Sequence, residues 1–306
     1  MNEAHAFCPS GISSFFQPVT LGAPPTTFES ACRIGARGGG FILSKGVHTR
    51  ARIKPHDQVM VHVTINGTPA PEAQVTREVC SMLLDRIQTP HAVIINHRIE
   101  VPIGCGFGSS AAGAVSTGLA LAKALGLHLS LNQIGQLAHV AEIRCATGLG
   151  TVSGVLRGGA ILVLEAGAPG FDYVDWLPLD ASYRIVAGSF APIPKENILF
   201  SRSLLAVVNE EAEKVMRQIQ QEPDPALFLR LCYNFAQKAG FMTPRVKTCI
   251  EAALAAGAVG ASQNQIGEAF HALVERSKVD EVVGALESRI RPRPLIVSQI
   301  SRGGPL

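Results

Sequence analysis

Residues 101–113 read Val-Pro-Ile-Gly-Cys-Gly-Phe-Gly-Ser-Ser-Ala-Ala-Gly, which sets three spaced glycines and two serines directly before a long run of small apolar residues. Gly104, Gly106 and Gly108 permit left-handed backbone and close approach of a ligand, and Ser109 and Ser110 are good helix caps. The first-turn N–H groups of a helix starting there would point into the loop, and the helix dipole favours an anion at that end. The stretch therefore reads as an anion cradle, of a kind that suits the phosphates of a nucleotide. Two common phosphate loops are excluded by spacing. A dinucleotide fingerprint needs glycine where Ser109 stands, and a Walker loop needs Gly-Lys-Ser/Thr, which is absent.

The flanks supply the context such a loop requires. Ala92 to Val101 reads as a strand leading into it, and Ser109 to Leu125 is small and apolar all round, a buried helix closed by Gly126. Ser130 starts the next helix, with Gln133 in the capping-box position. This helix carries His139 and Glu142 three residues apart on one face, opposite an apolar stripe of Ile134, Leu137, Ala141 and Cys145. A second glycine-dense loop, Thr147 to Gly154, and a buried strand from Gly158 to Leu164 follow. Two glycine loops bracketing an acidic helix predict a closed active site.

Further out, residues 4–19 read as a short strand and a small-residue turn at Pro9 to Gly11. Gly38 to Gly40 offer close backbone approach, and Val47, Thr49, Ala51 and Ile53 alternate with His48, Arg50 and Arg52 as in a half-exposed strand. A second alternating run, Val59 to Ile65, ends at Asn66-Gly67, a hairpin signal. Thr76 to Ile87 is an amphipathic helix with Val79, Leu83 and Ile87 on one face. Downstream, a strand at Tyr183 to Gly188 precedes Ala191-Pro-Ile-Pro-Lys195, whose prolines suit a boundary. We place the division there: an N-terminal domain over 1–190 and a C-terminal α+β domain over 191–306 that closes over the site. From about Asn197 the pattern is helical, with helices at Leu204 to Gln220, Pro225 to Ala239, Thr243 to Ala256 and Ile266 to Val274. The last follows a third small-residue loop, Val259 to Gly267, and a terminal strand spans Pro294 to Ile300.

Composition narrows the function class. The 306 residues are 47% hydrophobic and only 17% charged, enough to bury a large core. Net charge is +3 with scattered basic residues, and the one dense cluster, Arg289, Arg291 and Arg293, is broken by Pro292 and Pro294, which argues against nucleic acid as a partner. The seven cysteines are odd in number and lack any Cys-x-x-Cys pair, so reduced, mostly buried thiols are expected rather than a zinc site or a disulfide framework. No apolar run reaches the roughly 18 residues a membrane span needs, so no membrane partner and a cytoplasmic location are expected.

Pro102, Gly106, Gly108, Ser109, Ser110, Ala111 and Ala112 match the Pro-x-x-x-Gly-Leu-Gly-Ser-Ser-Ala-Ala signature of the GHMP kinases, with Phe107 in place of leucine. The chain resembles that superfamily over essentially its whole length, and within it the archaeal pantoate kinase family most. The residues that carry this closer resemblance are the Pro9 to Phe16 turn, Gly35 to Val47, Ala138-His-Val-Ala-Glu142 and Thr147-Gly-Leu-Gly150. The resemblance implies an α+β fold: an N-terminal domain with mixed sheet and helices, similar to domain 2 of ribosomal protein S5 and with a left-handed crossover, plus a smaller ferredoxin-like C-terminal domain. It implies transfer of the γ-phosphoryl of ATP, with Mg²⁺, to the primary hydroxyl of a small hydroxy acid, and a homodimer.

By the same resemblance Pro102, Gly104, Gly106, Phe107, Gly108, Ser109, Ser110, Ala111 and Ala112 would bind ATP. Ser110 and Glu142 would hold the metal, Glu142, Ser110 and His139 would carry the catalysis, and His139, Arg37 and Ser262 would meet the acceptor, with Lys45 a further candidate for its carboxylate. Three positions depart from the family pattern. Thr151 stands where an aspartate base is expected, no arginine occurs in 160–164, and Pro194 replaces an expected hydroxyl residue. These departures keep a mevalonate 3-phosphate kinase, another hydroxy-acid kinase and a catalytically inactive nucleotide-sensing homologue as alternatives.

Overall fold

Strand β2 (Gly35–Pro55) is the spine of the first sheet, and β1 (Asn2–Val19) runs antiparallel along nearly all of it. The computed structural model describes residues 2–20, 24–87, 89–193, 202–289 and 295–306. The turn expected at Pro9 to Gly11 is instead part of one continuous strand, whose register slips between Pro9 and Gly11 and again between Ser13 and Phe15. Such bulges bend a strand without ending it. They bring β1 so near to β2 that a side chain at Gly40 would collide with the Ile12 carbonyl, which accounts for the glycine run there.

The two ends of β2 serve different partners. Its C-terminal half pairs with β5 (His91–Ile99), and Gly38 to Phe41 pair with β6 (Ala160–Glu165). Beyond β5 lie β3 (Met60–Ile65), parallel to it, and β4 (Thr68–Pro69), joined to β3 through Asn66 and Gly67 with φ of 51° and 84° as the Asn-Gly pair predicts. Beyond β6 lies β7 (Tyr173–Trp176). The half-exposed Trp176 packs on Gly159 and donates its indole N–H to the Gly158 carbonyl at 3.1 Å.

Helices α1 (Phe28–Cys32), α2 (Gln74–Leu84), α3 (Ser109–Leu125), α4 (Leu131–Arg144) and α5 (Thr151–Val155) belong to this half. Helix α3 is buried along most of its length and ends at Gly126 with φ of 71°. Helix α4 starts with the predicted capping box, in which Ser130 Oγ accepts from the Gln133 N–H at 3.2 Å and Gln133 Oε1 accepts from the Ser130 N–H at 2.8 Å.

The second sheet is fully antiparallel in the order β11-β8-β10-β9, built from β8 (Tyr183–Ala191), β9 (Gly260–Gln263), β10 (Glu268–Glu275) and β11 (Ile296–Gln299). Helices α6 (Arg202–Gln221), α7 (Pro225–Lys238) and α8 (Pro244–Ala255) connect β8 to β9, and α9 (Val279–Arg289) connects β10 to β11, a split β-α-β arrangement. Two expectations change here. Residues 266–274 form a turn and strand β10 rather than a helix, and the helix lies later, at α9. Every residue from Glu268 to Val274 is buried, so a strand covered on both faces leaves no alternation to read. The expected division at 190/191 also falls along β8, a strand of the second sheet. Pro194, Lys195, Asn197 and Arg291 to Pro294 lie outside the described residues, as does the side chain of Arg289.

The two sheets share a core. Phe15 and Phe41 meet Phe228 edge-on, with ring centroids 6.0 and 5.7 Å apart. Among the described residues no cysteine forms a disulfide, and six of the seven are buried. Among the described residues no helix is long and apolar enough to cross a membrane.

Candidate active site

The cradle forms at the start of α3, with one change to its cap. Ser109 and Ser110 do not cap the helix. Gly108 is the N-cap, with φ of 62° and ψ of 22°, and no side chain bonds to the first turn. That conformation and the tight space select glycine, since a Cβ there would lie 2.7 Å from both the Gly11 carbonyl oxygen and Thr151 Cγ2. The helix therefore offers its first-turn N–H groups and its positive end without a side chain across them.

This end opens on a cleft with about 1110 Å³ of empty space, continuous with solvent. Gly104, Gly106, Phe107, Gly108, Ser109 and Ser110 line one side, and Gly148 to Thr151 line another. Ile12, Phe15, Phe16, Ile42, Ile161, Val163 and Ile266 give it apolar walls. Pro102, Ala111, Ala112 and Lys45 are not on the lining. Ala111 and Ala112 sit on the helix side turned into the core, and both are fully buried.

Glu142, in the last turn of α4, points into this cleft although only 4% of its surface is exposed. Its Oε1 accepts hydrogen bonds from Ser110 Oγ at 2.5 Å and from Thr147 Oγ1 at 2.7 Å. The backbone at Gly148 lies so close that any side chain there would strike the carboxylate. A carboxylate and two hydroxyls thus converge beside the helix end, each from a different element. Thr147 was legible as the start of the second glycine loop but not as a partner of Glu142.

His139 does not join them. Its ring is 1% exposed and donates from Nε2 to the Ile34 carbonyl at 2.9 Å, away from the cleft. Burial holds the imidazole below its usual range, against the carbonyl of Ile34, which acts the other way. The expected contact between His139 and an acceptor is therefore corrected: i,i+3 spacing brings two side chains near each other, but here the ring fills the gap under the segment after α1. Both His139 and Glu142 are buried, whereas the amphipathic reading put them outside the core. Ser262 is corrected likewise. It is fully buried on β9 opposite His271, with no hydrogen-bond partner among the described residues, and does not line the cleft.

Arg37 does line it. Its Nε donates to the Leu164 carbonyl, and its Nη1 donates to Gln17 Oε1 and Glu213 Oε2, each at 2.9 Å. Glu213 comes from α6, and Arg217 and Arg37 hold its carboxyl below the usual range. From the third loop, Gln265 and Ile266 reach the cleft in place of Ser262. This loop is fixed from behind. Ser14 Oγ donates to His271 Nε2 and His271 Nδ1 donates to Asn264 Oδ1, both at 2.8 Å, while the Gln265 N–H donates to the Ser13 carbonyl at 2.8 Å. Burial pushes the His271 imidazole down to about 3, so the ring is neutral.

The family described as GHMP kinases N terminal domain matches residues 74–159, the span from α2 through both glycine loops. A pantoate kinase of Thermococcus kodakarensis is 31% identical over 240 residues, covering 78% of this chain and 76% of that protein. A mevalonate kinase of Pyrococcus furiosus is 24% identical, covering 83% of this chain and 84% of that protein. A solved structure described as a phosphotransferase related to the CoA biosynthesis pathway superposes with a TM-score of 0.87 at 28% identity, covering 99% of this chain and 98% of that one.

Proposed function

The chain belongs to the pantoate kinase family of the GHMP kinases, and from that footing we propose that it transfers the γ-phosphoryl of ATP to the primary hydroxyl of pantoate, giving 4-phosphopantoate for coenzyme A formation. The observation that carries the reading is the convergence of Ser110, Glu142 and Thr147 at the uncapped start of α3, inside an apolar cleft with a single cation among the described residues.

The donor set fits magnesium. Ser110 and Glu142 offer hard oxygens, and among the described residues no three acidic, histidine or cysteine side chains cluster as a protein-only cage would require. One carboxylate plus a hydroxyl, with other ligands from phosphate and water, is how Mg²⁺ is commonly held in phosphotransferases. When bound, magnesium–ATP supplies the electrophilic phosphoryl group and offsets its charge. The chain's residues do the rest by positioning. The first turn of α3 receives the phosphates, Ser110 and Glu142 fix the metal, and Arg37 meets the acceptor's carboxylate.

Among the described residues, Arg37 and Glu142 are the only ionisable side chains on the cleft lining. With Glu142 turned to Ser110 and Thr147, and Thr151 where a base was expected, none of these side chains is placed as a general base. The acceptor's proton leaves with the phosphorylated product or to water. The lining also selects among acceptors. A compact acid with a branched aliphatic body suits the walls of Ile12, Ile42, Ile161 and Val163, whereas an acceptor bearing both a phosphate and a carboxylate would require more cation than Arg37 alone.

ADP release by the purified protein with magnesium–ATP over pantoate, mevalonate, mevalonate 3-phosphate and homoserine tests this reading. Pantoate should give the highest kcat/KM. Faster turnover of another acceptor would reassign the substrate, and tight ATP binding without turnover on any would replace the kinase by a nucleotide sensor.

A further inference from the structure

Arg37 is the cleft's one cation among the described residues, and its hydrogen-bonding capacity is unevenly used. The single Nε hydrogen goes to the Leu164 carbonyl, and both Nη1 hydrogens go to Gln17 and Glu213. Nη2 has no hydrogen-bond partner among the described residues, on a side chain that lines the cleft. Of the three groups that fix the guanidinium, two come from strands of the first sheet and one, Glu213, comes from α6 in the second half. Glu213 is itself fixed, since its other oxygen accepts from Arg217 Nε at 3.1 Å. Gln17 Nε2 ties the same junction by donating to the Asn209 carbonyl of α6 at 3.2 Å.

We propose that Glu213 is a positioning residue for acceptor recognition: from α6 it holds the Arg37 guanidinium so that Nη2 is offered to the carboxylate of the hydroxy acid. The role rests on the hydroxy-acid kinase function and adds to it a coupling between the two halves. The carboxylate subsite is complete only while α6 is docked on β1 and β2. Arg217 and Arg37 share the one carboxylate, one on each oxygen, so Glu213 orients the Arg37 cation without being its partner alone.

The experiment compares wild type with Glu213→Ala, Glu213→Gln and Arg217→Ala in steady-state kinetics. The acceptors are pantoate and its primary amide, which keeps the hydroxyls and loses the charge. A partly exposed ion pair of this kind is worth up to a few-fold, and more where it orients a second group. Glu213→Ala should therefore raise the pantoate KM about 3- to 10-fold, with kcat and the ATP KM unchanged and no change toward the amide. Glu213→Gln keeps an oxygen for Nη1 and should fall between the two, and it serves if the alanine variant does not fold. Arg217→Ala frees one oxygen of Glu213 but leaves the Arg37 contact, so it should raise the pantoate KM in the same direction and by less than Glu213→Ala does.

A lowered pantoate KM in Glu213→Ala would show that Glu213 competes with the acceptor and would overturn the role. Equal losses on acid and amide, or a fall in kcat alone, would overturn it as well. If wild type phosphorylates no hydroxy acid at all, the kinase reading fails and this role with it. Normal wild-type turnover with a silent Glu213→Ala overturns this role alone.

Discussion

The loop entering α3, residues 104–110, and the loop joining β9 to β10, residues 264–267, meet across the cleft, where a Cβ on Gly106 would come within 2.9 Å of Asn264 Cβ. They are held in opposite ways. The first has three glycines with positive φ and a helix start that no side chain caps. The second has its backbone tied down: the Asn264 N–H donates to the Ala269 carbonyl at 2.9 Å, the Gly267 N–H to the Asn264 carbonyl at 3.1 Å, and the Gln265 N–H to β1. Behind it stands the buried Ser14–His271–Asn264 chain. One loop leaves the N–H groups of the helix start without a side-chain cap, and the other ties its own backbone into the fold beside it. Small, polar-rich loops that look alike in composition are thus left open in one case and tied down in the other, which suits the proposed binding role of the first.

That contrast can be broken by substitution. The largest effect should come from Glu142→Gln, which keeps shape but removes the charge that, on the proposed function, holds the metal. We expect kcat to fall by about two to three orders of magnitude with little change in thermal stability, and a near-normal rate at limiting Mg²⁺ would remove Glu142 from the metal site. Gly108→Ala comes next. A left-handed alanine costs about 1–2 kcal/mol, and its Cβ would press on the Gly11 carbonyl and Thr151. The result should be an ATP-dependent loss of about 10- to 100-fold in kcat/KM.

The supporting loop should respond to pH instead. His271 is held down to about 3 from an ordinary value of 6.5, so the fold keeps it neutral while the unfolded chain protonates it below pH 6.5. Stability is then full above that pH and is lost as pH falls toward 3, by about 2 kcal/mol at pH 5 from this group. Urea unfolding at pH 7.5 and 5.0 should show that loss in wild type and a shallower one in His271→Gln, and equal slopes would mean the ring is not kept neutral. His97, held down to about 4 by burial, adds in the same direction. The smallest effect belongs to Thr151→Ala. With a methyl packed against the first loop and no carboxylate to lose, kcat should stay within about threefold, and a large fall would give the hydroxyl a chemical role.

How far each loop could be read from the sequence follows the same division. The first was legible because glycines at alternate positions cost chain entropy, a cost that close approach of a ligand at a helix start offsets. The capping box at Ser130 and the Asn66-Gly67 turn were legible through equally local chemistry. Strand β10 was misread because a strand covered on both faces shows no alternation, so its apolar spacing passes for a helix. The bulges of β1 look like a turn until β2 is alongside. Of the residues read as a site, Ser110, Glu142 and Arg37 do line the cleft, but His139 was not separable from Glu142: spacing on a helix gives neighbours, and only the segment after α1 decides which of them turns toward the cleft. Gln17 and Glu213 lie almost two hundred residues apart, and no local pattern could join them.

Trp176, the only tryptophan in the chain, gives the protein a single strong intrinsic fluorophore. Its indole leans on the turn at Gly158 and Gly159, and its backbone pairs across to Ile161, whose side chain forms part of the cleft wall. Tryptophan emission therefore originates one strand away from the cleft wall. A ligand that fills the cleft is expected to shift that emission, with no label attached.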